Sequence, residues 1–361
     1  MAAPSTGQGS HSARWSPVKN GDSASPTAPA APRGRPPARQ TGPVTTFDRY
    51  VIVDWSASGV PRRGRDSIWV ASLGAAGAPV TWNPATRTAA HAAIRGHLVD
   101  AVRRGERVLI GFDFPYAYPR GFARALGLAG EPWRAVWDEL ERLIRDDAPR
   151  PNASNRFAVA SELNRRLIAH AYWGRPARQP HQHLSMRRDV VRYRLEGEDA
   201  GLTEWRDVER CLRAQRRYPQ SAWKLLGAGS VGGQALTGIP VVSRLRADPD
   251  LRAVSRVWPF EVAVPGLAPG APGIVHAEIW PSQLPTPDLP GRVRDESQVI
   301  ALAGRFRDRD RDGSLADLFA AAGASDASGE EGWILGVTPR SQGPPRPRSA
   351  ASATPAPPRR R

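Results

Sequence analysis

Short apolar runs broken by turn residues open the folded part of the chain. Tyr50-Val51-Ile52-Val53 ends at Asp54 and the turn Trp55-Ser56-Ala57-Ser58-Gly59. Ile68-Trp69-Val70-Ala71-Ser72-Leu73 follows, and Val80-Thr81-Trp82 comes after a second turn. Three such runs in succession predict an antiparallel meander. Asn83-Pro84 then signals a helix start, with Asn as N-cap and Pro at the first helical position. Ala90, Ile94, Leu98 and Val102 recur every four residues and predict a helix that Gly105 ends. Residues 107–112 are apolar almost throughout, the pattern of a parallel strand buried on both faces. They lead into Asp113-Phe114-Pro115, so the predicted order is β-β-β-α-β. Amphipathic helices are predicted over 131–145 and 155–170 and a late strand over 274–280, while residues 227–240 are Gly-rich. Two more helices are predicted over 295–306 and about 314–322. The fold class is α/β with a mixed sheet, helices on both faces and a large central segment.

Composition trims this picture at both ends. Residues 1–45 are rich in Pro, Ala, Ser and Gly, and residues 340–361 in Pro, Ser, Ala and Arg. Neither stretch can bury enough apolar area to offset chain entropy, so both are expected to be disordered tails around a domain spanning 46–339. The tails hold +4 and +6 of the net charge of +16, which leaves +6 for the domain. Residues 150–224 alone carry 16 basic and 8 acidic groups, a stronger footprint for an anionic ligand than the basic tail. That tail either touches nucleic acid or is simply solvated. Arginine outnumbers lysine 49 to 2, which with so much Ala, Gly and Pro reflects a GC-rich coding bias. Cys211 is the sole cysteine, which excludes an intrachain disulfide and a cysteine zinc cluster. No apolar run reaches membrane length, and the N-terminus lacks the apolar core of a secretory signal. A soluble cytoplasmic protein with no membrane partner is the expectation.

Asp54 and Asp113 carry the candidate chemistry. A carboxylate at the exit of a buried strand is costly unless something pairs with it. Two of them on neighbouring strands can hold magnesium or manganese, which prefer hard oxygen ligands. The alternative is that each caps the turn after its strand. Glu278 in the late strand, Asp295 and Glu296 at the start of the next helix, and Glu261 are candidates for a third acid. The helix dipole also favours acids at the second of these places. Gly227-Ala228-Gly229-Ser230-Val231-Gly232 matches GxGxxG by letter, but no clear strand precedes it. It is either a backbone nest for phosphate or a plain loop. Arg62, Arg156 and Lys224, with Gly227 and Gly229, are the candidates for binding a phosphate-bearing ligand. His181 and His183 could share a face on a strand, yet no third nitrogen or sulfur ligand stands nearby in sequence.

On Val53-Asp54-Trp55-Ser56-Ala57, Gly111-Phe112-Asp113-Phe114-Pro115 and Glu278-Ile279-Trp280-Pro281-Ser282, the chain resembles the ribonuclease H-like fold. More specifically, it is similar to a family of predicted RNase H-like nucleases. Some relatives of that type carry molybdopterin-guanine dinucleotide or cobalamin biosynthesis labels. The resemblance spans about 48–115 and 273–322, and implies a family-specific insertion at about 120–270. It implies that Asp54 and Asp113 lie side by side, and that the third acid comes from the final helix, which points to Asp295. It implies a nuclease-like hydrolase dependent on magnesium or manganese, with nucleic acid or a nucleotide as partner. The open alternatives are binding of a nucleotide or phosphorylated cofactor, as in actin-like ATPases, and a non-catalytic binding protein on the same fold.

Overall fold

The computed structural model describes residues 45–147, 149–167, 171–188, 202–263, 265–268 and 270–339. The tails expected at 1–45 and 340–361 fall outside these residues, except for Thr45. Six strands are described: β1 (Arg49–Asp54), β2 (Trp69–Gly74), β3 (Val80–Trp82), β4 (Arg107–Phe112), β5 (Ser255–Val257) and β6 (Gly273–Glu278). The helices among the described residues are α1 (Arg87–Arg103), α2 (Phe122–Ala125), α3 (Pro132–Leu143), α4 (Arg156–Leu167), α5 (Asp207–Ala214), α6 (Gly232–Ala247), α7 (Arg294–Arg311), α8 (Leu315–Ala320) and α9 (Ser328–Glu331).

The strands form one mixed sheet in the order β3-β2-β1-β4-β6-β5. β1, β2 and β3 make the expected antiparallel meander. β4 lies parallel to β1, β6 parallel to β4, and β5 parallel to β6. Period-two alternation sends each strand's side chains to two separate cores. Val51, Val53, Val108, Ile110 and Phe112 join the core that holds α1, α3, α4 and α6. Tyr50, Ile52, Leu109, Val275 and Ala277 join the core under α7 and α8. The sheet is thus covered on both faces, which is why β4 reads as a continuous apolar run.

One local expectation fails and three elements were not foreseen, each for a physical reason. Asn83 does not cap α1; Thr86 does, accepting from the Ala89 N–H at 3.1 Å. Asn83 instead ties the β2 entry to its turn, donating to Ser67 and Ile68 and accepting from the Gly64 N–H. The Gly-rich motif is a loop through Val231, as one of its two readings had it, and the unassigned stretch from Gly232 onward is helix α6. Glycine and Pro240 lower its local propensity, but it is buried on nearly every side, and packing outweighs propensity. Burial all round also erases the amphipathic period by which a helix is read. β5 and α5 escape notice because they are only three and eight residues long.

Gly238 shows how tightly α6 is seated. A Cβ there would stand 2.2 Å from the Phe114 ring, which is 1% exposed and wedged between Phe112 and Tyr116. Gly238→Ala gains about 1 kcal/mol of helix propensity but overpacks this contact by roughly 1–3 kcal/mol. A net fall in the urea midpoint is expected; an unchanged or higher midpoint would show that Phe114 can move aside.

Candidate functional site

Parallel pairing of β1 and β4 sets Val53 opposite Phe112, so the next residues, Asp54 and Asp113, emerge side by side. The Asp113 N–H donates to the Val53 carbonyl at 3.2 Å, which carries the pairing one step past the strand. Asp54 follows Tyr50 and Ile52 on one face, and Asp113 follows Leu109 on the same face. That face is the one α7 covers, and α7 carries Asp295 in its first turn. Asp54, Asp113 and Asp295 all line one open cleft of about 800 Å³.

The two carboxyls emerge as neighbours from paired strands and act on each other's ionisation. Burial first, and then the negative charge of Asp113, hold the Asp54 carboxyl well above the usual aspartate range. Burial pushes Asp113 up to about 6, although the Trp55 N–H, donating to its Oδ1 at 2.7 Å, favours the ionised form. Burial also raises Asp295, against the Asp66 N–H that donates to its Oδ2 at 2.7 Å. Among the described residues, no arginine or lysine forms an ion pair with Asp54, Asp113 or Asp295. Both carboxyls are thus held toward the protonated form, and a cation could neutralise both. Three His, Cys, Asp or Glu side chains do not come close enough anywhere among the described residues to close a metal cluster.

A raised carboxylate pKa works against stability at high pH. The pair's contribution is fully present below the ordinary aspartate value of 3.8 and is lost as pH rises through about 6. In EDTA, Asp113→Asn is expected to gain thermal stability relative to wild type as pH rises from about 4.5 to about 7.5. A difference that stays constant across that window would mean that burial does not raise the Asp113 carboxyl.

The cleft's other wall comes from the central segment. Arg156 opens α4 and lines the cleft, as do Gly227, Gly229, Ser230, Val231 and Gln234 around the start of α6. Gly227 and Gly229 hold φ of +102° and +68°, left-handed backbone that glycine supports without strain. Gln234 donates to the Trp55 carbonyl, and the Trp55 ring N–H donates to Thr237 at 3.3 Å, so α6 is tied to the loop after Asp54. Tyr218 and Trp280 add aromatic faces to the cleft, and Tyr218 is exposed.

Of the remaining sequence candidates, Lys224 is turned away from the cleft. Its ammonium donates to Gln220 at 3.0 Å and to the Ala228 carbonyl at 2.7 Å, so it braces the loop. Arg62 is exposed beside Asp66 at 3.7 Å and does not line the cleft. Glu278 does not join the aspartates. It stands in register with Phe112, and therefore points to the opposite face from Asp113. There it is buried, accepting from Arg206 at 2.6 and 2.7 Å and from the Tyr116 N–H at 2.9 Å. Glu296 accepts from Thr81 at 2.8 Å and pairs with Arg292. Glu261 is held by Arg246 at 2.7 Å. His181 and His183 lie in a turn, where the His183 N–H donates to Ser161 and the His181 carbonyl accepts from Leu184.

Sequence reading missed Asp66, Tyr218 and Gln234 as cleft residues. No signal in the sequence marks them, since each belongs to a turn or to a helix start that only folding brings to the strand ends. The cleft has no counterpart to lean on, because the chain matches no protein-family model, no curated protein and no solved structure.

Proposed function

We propose that this chain is a ribonuclease H-like hydrolase of phosphodiesters, working with magnesium or manganese held at Asp54 and Asp113. The observation that carries this is a pair of carboxylates emerging side by side into one cleft, with no basic side chain paired to either among the described residues. Their all-oxygen donor set suits a hard cation, and magnesium commonly takes one or two carboxylates and fills its other positions with water and phosphate oxygens. When bound, the ion would supply positive charge at a phosphate oxygen and a more acidic water. The meander followed by a parallel fourth strand, with a helix presenting Asp295 from the same face, supports the fold assignment. Asp54 and Asp113 hold the cation in this reading. Asp295 leaves Oδ1 free of the Asp66 amide and can take a proton there. Tyr218 and Trp280 offer faces on which bases can stack.

The test is direct. The purified full chain is incubated with single- and double-stranded DNA, RNA and a hybrid duplex, with magnesium, manganese or EDTA. Metal-dependent cleavage of at least one form is expected, and no cleavage of any form rejects the reading. A second reading, binding of a nucleotide or phosphorylated cofactor without turnover, draws on the engagement of Asp295 Oδ2 by Asp66. It predicts thermal stabilisation by nucleotides or pterin cofactors in a protein that cleaves nothing.

A further inference from the structure

The wall opposite the aspartates carries an anion receptor of its own. Arg156 is 9% exposed, and among the described residues its Nε has no hydrogen-bond partner. Its guanidinium lies over the Phe157 ring at 4.4 Å and makes one hydrogen bond, from Nη1 to Ser154 at 2.9 Å. No carboxylate pairs with it among the described residues. A buried donor left without a partner is costly, so its place at the cleft asks for an acceptor from outside the chain.

The start of α6 meets it there. α6 has sixteen residues, and its N-cap, Val231, offers no side chain to the first N–H groups. The Gly232 N–H is used by the Lys224 carbonyl, and the Ala235 N–H by that of Val231. The N–H groups of Gly233 and Gln234 have no acceptor among the described residues. A Cβ on Gly233 would lie 3.4 Å from Arg156 Nε and 3.2 Å from the Ala57 Cβ, so glycine brings backbone, guanidinium and the Asp54 loop together. Arg156 and Gln234 both line the cleft, so the positive end of the helix and the guanidinium face the same space. Ala57 is three residues after Asp54, so their Cα atoms are within about 11 Å, and both residues line the cleft with Arg156.

We propose that Arg156 and the free amides of Gly233 and Gln234 form a phosphate-binding subsite, which holds a phosphate group of the substrate beside the aspartate pair. The substrate class follows from the proposed hydrolase reading, but the subsite itself needs no metal and can be tested without one.

Inorganic phosphate is titrated into the full chain in EDTA at low ionic strength, followed by amide and arginine Nε–H NMR and by thermal shift. Chemical-shift changes at Gly233, Gln234 and Arg156 Nε–H are expected in wild type. Arg156→Gln should weaken phosphate binding about tenfold or more, and Arg156→Lys should restore part of it, since a charge-assisted hydrogen bond carries that magnitude. Unmoved resonances in wild type, or equal affinity in Arg156→Gln, overturn the subsite. The NMR arm uses unaltered protein and stands even if a variant does not fold. A 5′-mononucleotide and a dinucleotide without a terminal phosphate extend the titration. Arg156-dependent binding of the first assigns the subsite to a terminal phosphate, and of the second to the strand backbone. Dependence in neither overturns the proposal. Asp54→Asn should abolish cleavage yet keep phosphate binding, so failure of the hydrolase reading and failure of the subsite are separate results.

Discussion

Asp113→Asn is expected to lower metal-dependent cleavage by about a hundredfold or more while leaving the protein folded. The substitution keeps the shape of the side chain, and its Oδ1 can still accept from the Trp55 N–H. What it removes is one of the two negative charges that would hold the cation. Charge stabilisation by a bound metal is worth several kcal/mol, and about 3 kcal/mol is already a hundredfold in rate. Asp54→Asn should do the same, because the two carboxylates act through one shared position. The measurement is initial rate against manganese concentration, with thermal stability in EDTA as the control for folding. Rates within about threefold of wild type at saturating metal would remove the pair from the mechanism. A destabilised variant would contradict the burial cost that raises both carboxyls.

Arg206→Ala is expected to cost about 3–5 kcal/mol of stability, the largest structural effect in the chain. Arg206 is fully buried and donates to Glu209, to both oxygens of Glu278 and to the Glu331 carbonyl. It joins the start of α5, the end of β6 and α9. Without it, the Glu209 and Glu278 carboxylates stay buried with no counter-charge, and that uncompensated burial sets the magnitude. Against a total stability of about 5–15 kcal/mol, the loss should lower the melting temperature by on the order of 10 °C. Calorimetry of wild type and variant decides it; a shift of a degree or two would mean water replaces the guanidinium. Glu278→Gln completes the comparison. It should lose stability but leave manganese affinity unchanged, whereas a metal ligand would do the reverse.

Much of the site's frame was legible in the sequence. Alternating and continuous apolar runs marked β1, β2, β4 and β6, and an acid at the end of β1 and of β4 was visible before any folding. Glu278 was the misplaced candidate, and the reason is register. Its strand was read correctly, but which face an acid takes depends on its partner strand, and here Phe112 is that partner. Arg156 was singled out among 49 arginines, yet only its burial without a partner separates it from the paired ones. Helix α6 was not read from the Gly-rich stretch because it is held by packing on nearly every side, which no local period records.

By itself, the sequence determined five of the six described strands, the two carboxylates at the exits of β1 and β4 and the lack of a second cysteine for an intrachain disulfide, because these are written in the residue types and in patterns close along the chain. The tertiary structure decided which acids face each other, that α7 delivers Asp295 to the same face, and that Arg156 meets the start of α6 across the cleft. Those facts depend on strand order and on contacts between residues tens to hundreds of positions apart. Local propensity and spacing carry no information at that range; it arises only when the two cores form on the two faces of the sheet.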